Sequence, residues 1–314
     1  MLAAVLSVLT IFLIIAAGFF LARRKFFTPA TGEVFARTVV NLSLPAMMVY
    51  ELTTGFTRGE LIQGGRGLLL QMLAYLGCAL AAPLAARLGG VEKGRRGTFV
   101  AMFVASNTIF IGMPVNLALF GPASVPYVLL AYAVNSTYFW TWGAHGIVAD
   151  SGRRFPLLSW DHLKRILVPP FLAFLVGVAL VFAGVRLPVF LASTLKQLGG
   201  MTTPLSLLFM GITFSGIALA QLRPSLDMIL LFCGRFLLAP GLVYLMYLLL
   251  PVPTLMVKVF MIQAAMPAIT QAALLAKTSG ADYRYATIMV SATNLASLAV
   301  LPLYMALFTV LFPA

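Results

Sequence analysis

Two apolar stretches, one in each half of the chain, are long enough to cross a bilayer, and each carries proline and small polar residues near its middle. The first, residues 100–121, holds SNTIFIGMP from Ser106 to Pro114. The second, residues 255–277, holds QAAMPAITQ from Gln263 to Gln271. An unbroken apolar helix satisfies its own backbone. A broken one in a membrane must pair the freed groups with protein or line a cavity with them. Broken helices in corresponding places of two halves point to a binding site near the membrane's middle.

Composition decides that a membrane is the setting. Of the 314 residues, 61% are hydrophobic and 9% charged, and mean hydropathy is +1.02. Soluble domains carry about a quarter charged residues, so a water-soluble fold is excluded and an all-α integral membrane protein is expected. The net charge of +13 would suggest nucleic acid in a soluble chain. Here the basic residues read as loop charges, and no nucleic-acid partner is expected. Cys78 and Cys233 lie in apolar segments and show no disulfide or metal spacing. No metal or cofactor is expected. H-E-x-x-H, G-x-S-x-G and the phosphate-binding G-x-x-x-x-G-K-[ST] are all missing, and the sequence has only two histidines. The chain therefore reads as a non-enzyme.

A spanning helix needs about twenty residues. Ten segments qualify, at roughly 2–22, 34–54, 67–88, 98–120, 124–147, 166–184, 188–220, 226–250, 254–277 and 283–312. The seventh and tenth exceed the required length, so tilt or interruption is expected there. Numbering the loops alternately gives one side fifteen basic residues and the other five, with Arg235 completing the 21. The richer side should be cytoplasmic, as should the joining loop 149–165, which puts both termini outside. Arg23, Arg24 and Lys25 follow the first apolar segment rather than precede it, which fits a retained first helix rather than a signal peptide. Five segments per half, residues 1–148 and 166–314, force the second half to enter with opposite orientation, as an inverted repeat requires. NLSLPAMM around Pro45 and MTTPLSLL around Pro204 echo one another weakly.

In segment four, Pro114 lacks an N–H and its ring clashes with the preceding turn, while Gly112 permits unusual dihedrals. Gly112-Met113-Pro114 is the expected break, the alternative being a packed proline kink. Ser106, Asn107, Thr108 and Asn116 flank it. Segment nine offers Gln263, Pro267, Thr270 and Gln271. Where the segments cross, the N-termini of both second half-helices would meet, with partial positive charge and unpaired N–H groups suited to an organic anion such as a carboxylate. Arg235 lies inside segment eight, where two readings stand: pairing with substrate, or tying backbone carbonyls at a helix break. Glu51 is either interfacial or a group for a proton-linked step. Asn41, Ser43, Asn135 and Asn294 read as interhelical hydrogen bonders.

These stretches resemble the auxin efflux carrier family, whose members include bacterial carriers and the plant PIN-FORMED auxin exporters. The matching segments are NLSLPAMMVYELTT, SNTIFIGMPVNLALFG, GRFLLAP and MPAITQAALLAKTSGADYRYATIMVSATNLASLAVLPL. The resemblance implies a scaffold of segments one, two, six and seven, and a transport domain of segments three to five and eight to ten. It also implies a homodimer joined through the scaffold, an elevator-like motion, and Asn107 as a contact for the substrate carboxylate. Relatives move auxin, malonate or other small organic anions. The short central loop fits a bacterial-type member in the inner membrane. A sodium- or proton-coupled carrier of bile-acid type and a receptor on a carrier fold are the alternatives. The crossing holds no Asp or Glu for a cation, which favours uniport.

Overall fold

A computed structural model describes residues 2–152, 168–217, 222 and 224–312. The expected loop 149–165 lies outside the described residues from 153 on, as do Arg153, Arg154, Lys164, Arg165 and Arg223. The described residues are helical, without a strand. Among them Gly64–Leu88, Val189–Ser215, Leu226–Leu249 and Tyr283–Leu311 are long and apolar enough to cross a membrane. Thr108–Phe120 and Thr254–Ala264 are apolar but shorter, because both belong to segments that the chain interrupts. Side chains such as Leu80, Val189, Phe190 and Val310 stand more than 70% exposed on these helices, as a hydrocarbon solvent permits.

The two overlong segments differ. The seventh is interrupted, as Val189–Gly200 followed by Thr202–Ser215, whereas the tenth runs unbroken from Tyr283 to Leu311 with Pro302 inside it. The proline-marked break in segment four is also placed differently from expectation. Gly112, with φ −62° and ψ −42°, is helical, the last residue of a widened turn, and Met113–Phe120 follows without a gap. The chain opens earlier, where Arg96–Val104 ends at an extended Ala105, with φ −87° and ψ 134°.

The reason lies in how this fold absorbs proline. Wide π turns cover Val39–Ser43, Thr108–Gly112 and Gly234–Leu238, and Pro45, Pro114 and Pro240 each stand two residues after one. An inner-helix proline forfeits one hydrogen bond and crowds the carbonyl four residues back. A widened turn accommodates both, so the helix swells instead of breaking.

Packing separates the chain into two compact units. One comprises Met1–Gly65, Ile109–Leu130 and Leu167–Ile217; the other comprises Arg66–Thr108, Ala131–Ile166 and Ala218–Ala314. In the first unit Leu2–Arg23 lies directly on Thr202–Ser215. A Cβ added at Gly211 would run into the backbone of Ile15, Gly18 and Phe19, and one at Gly18 into the Leu208 carbonyl. Gly199 meets the Met47 backbone and Gly177 meets buried Leu52 in the same way. In the second unit Gly97 and Gly146 bring Arg96–Val104 against Ala144–Asp150. Lipid supplies no hydrophobic drive between helices, so close backbone approach through small residues is what holds them.

Polar groups at helix ends are satisfied locally. The Gly97 and Thr98 N–H groups donate to the Asp150 carboxylate at 3.0 and 2.6 Å. Burial nevertheless pushes that carboxyl above its usual value, against these bonds. Asp282 caps Tyr283–Leu311 by accepting from the Tyr285 N–H at 2.9 Å and from Arg95 Nε at 2.8 Å. Burial pushes the Asp282 carboxyl up, but these bonds and the Arg95 charge outweigh it and hold the group below its usual value.

Two outcomes follow from this packing. Gly211→Val should cost about 1–3 kcal/mol by overpacking, read as a lower melting temperature in detergent. A depressed carboxyl stabilises the fold above its unfolded pKa and loses that contribution as pH falls through the folded one. Wild-type stability should therefore drop below about pH 4, and Asp282→Asn should remove that part of the acid dependence.

Candidate functional site

Within the second unit the two broken segments meet. Ser106 and Ala268 form an antiparallel bridge: the Asn107 N–H donates to the Pro267 carbonyl at 2.9 Å, and the Ile269 N–H to the Ala105 carbonyl at 3.2 Å. Each break thus satisfies part of the other's backbone. Side chains from neighbouring helices complete the pairing. Asn135 serves as a substitute strand for Ser106: its Oδ1 accepts from the Ser106 N–H at 2.8 Å and its Nδ2 donates to the Ser106 carbonyl at 3.0 Å. Tyr75 donates to the same Oδ1 at 2.8 Å. In the other broken segment the Ala268 N–H donates to Thr293 Oγ1 at 3.2 Å. Asn135 therefore bonds between helices, as expected. Asn41 and Ser43 spend their donors inside their own helix, on the carbonyls of Arg37 and Thr38.

The C-terminal ends of the first half-helices converge on Arg235, which is 1% exposed. Nε and Nη2 donate to the Met266 carbonyl at 3.1 and 2.9 Å, and Nη2 also reaches Ala264 at 2.6 Å. Nη1 donates to Phe103 and Val104 at 3.2 and 2.8 Å. A guanidinium has five N–H donors, and these bonds use all of them. Of the two readings open in the sequence, the carbonyl tie is the one observed. The cation also sits at the negative ends of two helices, Arg96–Val104 and Thr254–Ala264, where the dipole favours it.

The N-terminal sides converge as well. Asn107 precedes the helical turn that begins at Thr108, and Thr270 is the N-cap position of Gln271–Ser279. Asn107 Nδ2 donates to Thr270 Oγ1 at 3.0 Å. Gln263 Nε2 reaches the Thr108 carbonyl at 3.3 Å. Ser106, Asn107, Thr108, Gln263 and Pro267 are buried, while Thr270 and Gln271 are partly accessible.

Seven of the expected residues, Ser106, Asn107, Thr108, Gln263, Pro267, Thr270 and Gln271, thus fall in one unit at one crossing. Gly112, Pro114 and Asn116 fall in the other unit, inside continuous helix, where Asn116 Nδ2 donates to the Gly112 carbonyl at 2.7 Å. Glu51 also belongs to that unit, half-buried in Leu44–Gly55. Among the described residues no group of three or more His, Cys, Asp or Glu is placed to hold a metal ion.

The profile of a family described as membrane transport protein matches residues 3–305. The chain belongs to this family, the auxin efflux carrier family. An uncharacterized transporter of Methanothermobacter thermautotrophicus is 25% identical over 303 residues, covering 95% of this chain and 96% of the relative. An uncharacterized transporter of Methanocaldococcus jannaschii is 22% identical over 311 residues, with the same coverage. The chain is therefore an integral membrane protein of a transporter family.

Two contributors escaped sequence reading. Tyr75 carries no motif, and its hydroxyl reaches Ser106 Oγ at 3.3 Å as well as Asn135. Thr293 sits one residue before Asn294, the polar residue that the sequence singled out. Both amide atoms of buried Asn294 lack a hydrogen-bond partner among the described residues, in contrast to the interhelical bond expected of it.

Removing the guanidinium tests the tie. Arg235→Met leaves four buried carbonyls to lose their donors, at about 1–3 kcal/mol each for those left unsatisfied. The variant should fail to accumulate as folded protein or melt far below wild type. Arg235→Lys, with three donors and no planar fork, should fall between the two, as read by detergent thermal melts.

Proposed function

We propose that this carrier moves small organic anions, such as malonate or auxin-like carboxylates, as an elevator-type secondary transporter. The observation that carries the reading is the contact between Asn107 and Thr270, the two residues that precede the second half-helices. Their meeting brings two helix N-termini to one place, and such ends favour an anion. The opposing carbonyl ends are neutralised by Arg235, so the site's remaining electrostatic bias is positive. Asn107 and Gln271 supply neutral donors to a carboxylate, with Ser106, Thr108, Gln263, Pro267 and Thr270 shaping the crossing.

One compact unit holds segments one, two, six and seven together with Ile109–Leu130, so it matches the proposed scaffold only in part. The scaffold comes from segments one, two, six and seven. The rest of the proposal, a ten-segment inverted repeat, both termini outside, a bacterial inner-membrane location and a homodimer through the scaffold, rests on the charge asymmetry of the loops and on the family. The carboxylates of Asp150 and Asp282 serve helix ends, and that of Asp227 accepts from Tyr285. A monoanion then binds without a co-bound cation and the empty carrier returns unaided, which is uniport.

The test is flux of labelled malonate and indole-3-acetate in proteoliposomes with a potassium-set potential, together with binding by thermal shift. Transport should follow the potential, worth about 2.3 kcal/mol per charge per 100 mV, and persist without sodium or a pH gradient. Asn107→Ala should weaken binding roughly ten- to a hundredfold, the loss of a hydrogen bond to a charged group, with the melting temperature of the empty protein little changed. Unaltered binding in Asn107→Ala would remove the crossing as the site. Flux that ceases without sodium would overturn uniport alone.

A further inference from the structure

The helix Arg58–Leu88 carries a glutamine that nothing in the crossing accounts for. Gln71 is 0% exposed, and neither its Oε1 nor its Nε2 has a hydrogen-bond partner among the described residues. Gln263 is equally buried, and its Oε1 lacks a partner while its Nε2 is engaged with Thr108. Two contact layers fix the level of these two residues. At one level Gly67 lies against Met256 and Phe260. At the next, Ala74 and Tyr75 line a small cavity with Ala264. The two helices therefore run side by side in the same direction. Residues 67, 71, 74 and 75 share one face at helical spacing. Gln71 falls between Gly67 and Ala74, and Gln263 falls between Phe260 and Ala264, so both glutamines occupy the same intermediate level.

That level adjoins the crossing. Tyr75, one turn beyond Gln71, bonds Ser106, and Gln263 bonds Thr108, so the two flank Asn107 along the chain. Buried amides without partners are rare and destabilising in a native protein. One wholly unpaired amide and one unpaired amide oxygen at one level, beside the proposed anion site, have the composition of a hydrogen-bonding subsite: acceptors in both Oε1 atoms and donors in the Gln71 amide.

We infer that Gln71 is a specificity-determining residue that, with Gln263 Oε1, receives a second hydrogen-bonding group of the substrate. The inference rests on the anion reading of the crossing and deepens it. The preferred substrate class is a small carboxylate that also bears an O–H or N–H, the carboxylate lying at Asn107 and the donor at the glutamine pair. A subsite of this kind discriminates strongly against an analogue lacking the donor, because the buried acceptors then stay unpaired.

The experiment uses the full-length purified carrier and three matched pairs of probes: lactate and propionate, malate and succinate, and indole-3-acetate and its N-methyl derivative. Affinities come from thermal shift and are confirmed by competition for uptake. Wild type should prefer the donor-bearing member of at least one pair by tenfold or more. Gln71→Leu should abolish that preference by weakening only the donor-bearing member. The same substitution replaces an unpaired buried amide with an apolar group of similar size, so the empty variant should melt at the same temperature or higher. A preference that survives in Gln71→Leu, or a loss shared equally by both members, overturns the inference. So does a lower melting temperature of the empty variant, which would mean that the amide is spent on the fold. Asn107→Ala separates this from the anion reading: it should weaken both members of a pair alike and keep their ratio. Unchanged affinities in Asn107→Ala, with discrimination lost in Gln71→Leu, would displace the carboxylate site yet leave the glutamine subsite standing. Absence of binding by all six probes would overturn both.

Discussion

A single buried guanidinium holds the broken segments together. Interrupting a membrane helix exposes carbonyls to a medium that cannot hydrate them, at several kcal/mol for each one left unsatisfied. Two interruptions at the same depth double the problem. Arg235 answers it with five hydrogen bonds to four carbonyls drawn from both breaks. Its own charge is offset without any carboxylate among its hydrogen-bond partners. Carbonyl oxygens and the negative ends of two helices provide the compensation. The π turn Gly234–Leu238 and the contact of Gly234 with the Phe103 ring bring this arginine close to the break it serves.

That arrangement sorts the crossing by polarity. Carbonyl ends are consumed internally, by Arg235 on one side and by the exchange between Asn107, Pro267, Ile269 and Ala105 on the other. What the chain leaves beside Asn107 and Thr270 is the amide end of each break. The proposed anion site would therefore need no cationic side chain of its own. Had Arg235 faced the ligand, the two C-terminal ends would lack their donor, and the fold would depend on substrate for its integrity.

The sequence revealed the coarse plan and one end of the site. Hydropathy marked the membrane setting, and SNTIFIGMP and QAAMPAITQ marked the segments that open. Pro267 sits in its break as expected. Pro114 does not, because the cost of a proline depends on whether the turn before it can widen, and that depends on tertiary packing. The opening falls instead at Ala105–Asn107, where the deciding partners, Asn135 and the strand-like backbone around Ala268, lie far away in sequence. Arg235 was visible as an expensive charge, but a lone arginine in an apolar run does not announce whether it serves backbone or ligand. Only the count of its donors against its acceptors decides that. Gln71 was not legible at all. It has no motif, and a glutamine in a spanning helix looks like any interhelical hydrogen bonder until its neighbours are known.

Three buried amides near the crossing are left wholly or partly unpaired among the described residues. Some polar groups of the second unit are matched closely: Thr98 spends both N–H and hydroxyl on Asp150, and Asn135 uses both ends of its amide on the crossing, whereas His145 Nδ1 is buried without a partner among the described residues. Beside that order stand Gln71, Gln263 Oε1 and Asn294, all buried and without partners among the described residues. Each such amide costs about 1–3 kcal/mol relative to a paired one, against a total stability of about 5–15 kcal/mol for a typical domain. An apolar replacement at any of these positions would be the simpler solution for packing alone. Gln71 and Asn294 lie on the helices that bear Tyr75 and Thr293, and Gln263 lies on the helix that ends just before Pro267, which is why the proposed subsite is sought beside the crossing. Stability set aside in this way is what a binding subsite requires, since an unpaired buried acceptor gains most when a ligand supplies its donor.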